Sequence, residues 1–163
     1  MEWKTVNLKN ASTLIRLAAS FFPDLLIVYL ASIPLLGGFF ILSALAGYYN
    51  YYLFISLVYL FPAFIWWAYD VFFLSKYGTT PGKRLFKLAV LKENGARLTR
   101  GEANKRFLLK FFFGIVLGIG YLYFLFNRKG NTLHNVMTGS YYYYIPVISL
   151  DFAKEVEVVS VER

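Results

Sequence analysis

Between residues 14 and 74 the chain carries three charged side chains, Arg16, Asp24 and Asp70, set among Leu, Ile, Val, Phe, Ala and Tyr. An apolar run of that length limits the possible folds more than any other feature. One bilayer crossing takes about 20 mainly apolar residues, so the run has the length for two. Composition agrees. Apolar residues make up 58% of the chain and aromatic ones 21%, while charged residues reach 16%, below the roughly 25% of a soluble domain. The 163 residues suit one domain. Cysteine is absent, which excludes disulfides and thiolate metal sites. The basic balance, 17 Lys and Arg against 9 acids, reads as loops facing an anionic leaflet, with no nucleic-acid partner implied. The first apolar run is too long for a secretory signal and lacks a small-residue cleavage site.

The first crossing is predicted over residues 14–36, ended by Pro34, Gly37 and Gly38. Pro23 admits another arrangement, in which it occupies the first turn of the crossing. Residues 14–22 would then form a separate interfacial helix, with Asp24 near the headgroups at a favourable helix N-terminus. The second crossing, 51–74, has interface-type aromatic residues near its ends: Tyr51, Tyr52, Trp66, Trp67 and Tyr69. The third apolar stretch, 107–126, either crosses once or is folded by Gly114, Gly118 and Gly120 into a re-entrant hairpin. Arg128 and Lys129 directly after it favour the return.

Residues 75–106 carry nine Lys and Arg against Glu93 and Glu102, whereas 37–50 carry no charge. The positive-inside rule therefore predicts a cytoplasmic N-terminus and a cytoplasmic 75–106 loop. Within that loop, Asn94-Gly95 amid alternating residues predicts a β-hairpin. Strands at about 140–162 are expected to join it, because strand backbone groups need partners. The expected fold is thus an α-helical membrane protein. It has two full transmembrane helices, a third spanning or re-entrant hairpin segment, and a small cytoplasmic antiparallel β-sheet.

The isolated charges raise the functional question. Arg16 and Asp24 stand about 12 Å apart along a helix and about 80° around it, which disfavours a direct salt bridge. Arg16 can snorkel to the surface, but Asp24 must pair, protonate or face water. Asp70 lies near the end that meets the basic loop. "YGTTPGKRL", residues 77–85, resembles a phosphate loop only superficially. Three residues rather than four separate Gly78 from Gly82, and Arg84 replaces the Mg²⁺-binding hydroxyl. It reads instead as a turn entering a strand. Lys83, Arg84 and Lys87 would then lie in a solvated loop able to meet a lipid headgroup or an acidic partner. His134, the one histidine, has no metal-ligand spacing around it and reads as structural. No catalytic set can be assembled, so no enzyme activity, cofactor or metal is expected.

Taken together, Arg16, Asp24, "GTTPGKRLFKLAVLKENGARLT", Arg106 and "NTLHNVMTGSYYYY" resemble the RDD family of small membrane proteins, over about residues 12–146. Arg16 matches the family arginine and Asp24 its first aspartate. The second aspartate falls on Asn135, a departure, and Gly139-Ser140 stands where Gly-Thr is usual. The resemblance implies transport, including sodium/proton antiport. Asp24 would bind the cation or proton, Arg16 would tune it, Asp70 would be a second candidate, and Arg106, His134 and Asn135 would belong to the same charge network. Three crossings do not easily enclose a pathway, so a homo-oligomer or a membrane-protein partner is implied. The alternative is a non-enzymatic scaffold or regulatory partner docking through its cytoplasmic sheet. Asn135 keeps the hydrogen-bonding reach of aspartate without its charge, which shifts weight toward a structural role.

Overall fold

Two long helices carry the apolar sequence, and the polar residues gather in a cap at one end of them. The computed structural model describes residues 11–47, 50–116, 123, 126 and 131–144. In chain order the elements are α1 (Ala11–Leu45), α2 (Tyr51–Tyr77), α3 (Pro81–Leu85), β1 (Leu88–Lys92), α4 (Arg100–Phe111), a π-helical segment (Phe112–Val116), α5 (Leu133–Met137) and β2 (Ser140–Tyr144).

α1 departs from expectation. It runs unbroken through Pro23, Pro34, Gly37 and Gly38, so neither the predicted stop at 36 nor the separate interfacial helix forms. In apolar surroundings the backbone has no alternative hydrogen-bond partners, so a helix persists through residues that would break it in water. The buried residues of α1 are Thr13, Ser20, Asp24, Val28 and Ser32, a single stripe at helical spacing. Ser32 Oγ donates to the Val28 carbonyl at 2.7 Å and Ser20 Oγ to that of Leu17 at 2.7 Å, which satisfies both hydroxyls within the helix. Small residues on such a stripe let neighbouring backbones approach closely. The opposite faces expose Leu26, Leu30 and Ile33 on α1 and Leu60 and Phe64 on α2. Both helices are long and apolar enough to cross a membrane.

Asn50 caps α2 by accepting the Leu53 N–H at 3.0 Å, and Gly78 ends it with φ +70°. Thr80 then caps α3, with Pro81 in its first turn. The predicted turn at 77–85 is therefore a short helix. Proline's fixed φ and missing N–H suit a helix start.

β1 and β2 pair antiparallel, from Leu88 opposite Tyr144 to Lys92 opposite Ser140. The predicted local hairpin does not form. Asn94-Gly95 does reverse the chain, and the Lys92 N–H bonds the Ala96 carbonyl at 2.8 Å. The following residues are committed elsewhere. Leu98 enters the core, and Thr99 forms a reciprocal capping box with Glu102 that starts α4. β1 therefore takes its strand partner from the tyrosine run.

The core of the cap joins Leu74, Leu88, Val90, Leu98, Ala103 and Tyr142, with Leu14 and Leu17 of α1 packed against it. The Thr13 and Tyr144 hydroxyls meet at 2.8 Å. The first turns of α1 thus belong to the cap. Ala89, Leu91 and Tyr143, on the opposite sheet face, are buried as well. α4 starts at Arg100 and continues through its π-helical extension to Val116. Residues 117–122 and the strands predicted beyond 144 lie outside the described residues, and so does the choice between a third crossing and a hairpin.

Candidate functional site

Where α1 and α2 enter the cap, their two acids face one cluster of polar side chains. Asp24 is 4% exposed and Asp70 1%. Asp24 Oδ1 accepts the Tyr69 hydroxyl at 2.5 Å and the Gly82 N–H at 2.7 Å, and its Oδ2 accepts the Thr80 hydroxyl at 2.6 Å. Donors from α2, the α3 cap and the α3 backbone thus converge on one carboxylate. Hydrogen bonds to an ionised acceptor are about twice as strong as neutral ones, which offsets the cost of removing the charge from water.

Glycine at 82 follows from this geometry. A Cβ at that position would collide with the Ser20 carbonyl oxygen and lie 2.6 Å from the Asp24 carboxylate carbon. The backbone N–H reaches Asp24 because nothing stands in front of it.

Lys83 Nζ lies between the two acids. It is 3.6 Å from Asp24 Oδ2, 3.7 Å from Asp70 Oδ1 and 3.1 Å from the Thr80 hydroxyl. Arg106, 1% exposed, comes in from α4. Its Nε donates to Asn135 Oδ1 at 3.0 Å, its Nη2 to the Tyr142 hydroxyl at 3.1 Å, and its Nη1 stands 3.9 Å from Asp70 Oδ2. The two acids are held differently. Asp24 is saturated by short hydrogen bonds, whereas Asp70 faces its cations only at ion-pair distance. Asp70 Oδ2 and Arg106 Nη1 make no hydrogen bond among the described residues.

His134 lies beside this cluster, with Nε2 3.1 Å from the Thr132 hydroxyl. Burial drives its pKa down to about 2, and the positive charges of Arg106 and Lys110 push the same way. The ring is neutral. Among the described residues, no three His, Asp or Glu side chains converge as metal ligands.

Six of the residues singled out in the sequence therefore come together: Asp24, Asp70, Lys83, Arg106, His134 and Asn135. Arg16 does not join them. It is exposed on α1 with its guanidinium 5.9 Å from the centre of the Tyr144 ring. Lys83 and Arg84 are buried, which corrects the solvated-loop reading, while Lys87 is exposed with φ +60°. α3 turns Lys83 inward, where the two carboxylates compensate its charge.

Tyr69, Thr80, Gly82 and Tyr142 escaped sequence reasoning. Thr80 and Gly82 had a readable signal, since a threonine directly before proline marks a capped helix start. Tyr69 resembled one more interface aromatic, and nothing local distinguishes Tyr142 within its run of four tyrosines.

The RDD family model matches residues 10–139, a range that takes in the whole cluster apart from Tyr142. No curated protein and no solved structure matches the chain. With most of the sequence and both acid-bearing helices inside the match, the chain belongs to the RDD family.

Proposed function

We propose that this membrane protein is a non-enzymatic scaffold or regulatory module, and that its buried charges form a fixed clasp between the membrane helices and the cap. One observation carries the reading: Asp24 already accepts three short hydrogen bonds from separate donors. A travelling cation would have to displace them, at about 1.5–3 kcal/mol for each bond to a charged group. In this reading the cap lies in the cytoplasm, as its basic residues favour. Both faces of the sheet are buried, so docking would fall to the exposed basic rim of Lys87, Arg100 and Lys105.

A second reading, cation or proton transport by an oligomer, is favoured by the looser hold on Asp70. There Asp70 would be the exchanging group and Lys83 the displaced charge, with Asp24 structural.

Proteoliposomes separate the two. The clasp predicts no sodium-driven or proton-driven flux above protein-free liposomes. It also predicts that Asp24→Asn destabilises by about 3–5 kcal/mol, the scale of two hydrogen bonds to a charged group. Flux in the parent protein that disappears in a normally folded Asp70→Asn variant would establish transport and overturn the clasp.

A further inference from the structure

Between α1, α2 and α4 runs a groove of about 760 Å³. Its long walls are apolar, formed by Phe21, Tyr59, Pro62, Trp66, Phe107 and Phe111. Its cap end carries Lys83, Lys110, Asp24 and Thr132. From Ser20 to Tyr29 it follows α1 for about 14 Å, at 1.5 Å per residue. The groove thus combines apolar walls with a small group of charged and polar side chains.

Charge decides what would suit the polar end. Three cations (Lys83, Arg106, Lys110) stand around two carboxylates (Asp24, Asp70), and His134 is neutral. The Asp24 oxygens are taken by their own donors. Lys110 lies in the field of Asp70 but makes no ion-pair contact within 4 Å among the described residues, and its ammonium rests 5.5 Å from the centre of the Trp66 ring, inside the groove. A positive charge left over at the mouth of an apolar cleft calls for an amphiphile with an anionic head. We propose that the groove is a binding site for an anionic phospholipid of the bilayer, its phosphate against Lys110 and an acyl chain along Phe21, Trp66 and Tyr59. The proposal requires membrane residence and is independent of whether the clasp is fixed or exchanges ions.

Trp66 provides the readout. The full chain is placed in phosphatidylcholine nanodiscs doped with rising fractions of phosphatidylglycerol brominated on its acyl chains, and tryptophan fluorescence is followed. A Trp3→Phe, Trp67→Phe background isolates Trp66. Quenching is expected to saturate at a low phosphatidylglycerol fraction and to exceed that from brominated phosphatidylcholine at the same fraction. Lys110→Gln, which leaves every hydrogen bond of the Asp24 cluster in place, should move the midpoint to about fivefold more anionic lipid, the value of one basic residue at a lipid surface. Inorganic phosphate should not compete, since it lacks the acyl chain. Equal quenching by the two brominated lipids would reduce the groove to ordinary boundary contact. No quenching at all would mean that another protein surface fills it, and an unmoved midpoint in Lys110→Gln would remove the charge argument. Any of these three results overturns the proposal.

Discussion

Asp24 and Asp70 have the same side chain, lie on adjacent helices and share one lysine, yet they are held in different ways. Asp24 is fixed by three donors at 2.5–2.7 Å, whereas Asp70 relies on ion pairs at 3.7 and 3.9 Å. His134, beside them, is expected to make the protein acid-sensitive. Its folded pKa, about 2, lies well below the ordinary value of 6.5, so the unfolded chain takes up the proton first. Its contribution is intact above pH 6.5 and is lost as pH falls toward 2, at up to about 1.4 kcal/mol per pH unit. Thermal unfolding in detergent at pH 7.5 and pH 5 should therefore show a larger acid loss for the parent than for His134→Gln. Equal losses would place the acid sensitivity elsewhere. In the sequence the acids could be recognised because charge among apolar residues is conspicuous. Lys83, Arg106, His134 and Asn135 were singled out as well, but Tyr69 and Tyr142 were not, because they are ordinary residues in an aromatic-rich chain and their roles arise only when α2, α4 and β2 converge.

At the scale of elements, the contact of α3 with α1 is the tightest test of the clasp. Gly82→Ala places a methyl group against the Ser20 carbonyl and the Asp24 carboxylate and costs the N–H bond to Asp24. We expect a loss of about 2–3 kcal/mol, the scale of one hydrogen bond to a charged group plus local displacement. Gly101→Ala is the matched control. It lies in the first turn of α4 with nothing within 4 Å of the new Cβ, so it should leave stability unchanged or slightly raised. Denaturation midpoints that fall equally for both would contradict the close approach. The two apolar helices were legible because run length alone identifies them. The sheet was half legible: Asn94-Gly95 specified a reversal, but turn chemistry does not identify the strand partner. Leu98 and the Thr99 capping box took the returning segment away from β1, and α3 went unread because Pro81-Gly82 suits a turn as well as a helix start.

For the molecule as a whole, the proposed placement of the cap in the cytoplasm can be tested directly. The natural chain has no cysteine, so single cysteines report without background. Lys87→Cys and Lys105→Cys, both on exposed cap positions, and Ala46→Cys, in the turn at the far end of α1, can be probed with a membrane-impermeant maleimide. A cytoplasmic cap predicts labelling of Ala46→Cys in intact cells and of the other two only after lysis. The reverse pattern would invert the orientation.

α1 is one continuous helix with a path of about 50 Å at 1.5 Å per residue. One end is built into the cap through Thr13, Leu14 and Leu17. Helices adjust their tilt when bilayer thickness changes. Since α1 is one continuous helix from the cap to Leu45, a change in its lean is expected to carry into the attached sheet, so that the thickness of the surrounding lipid would bear on the attitude of the polar head.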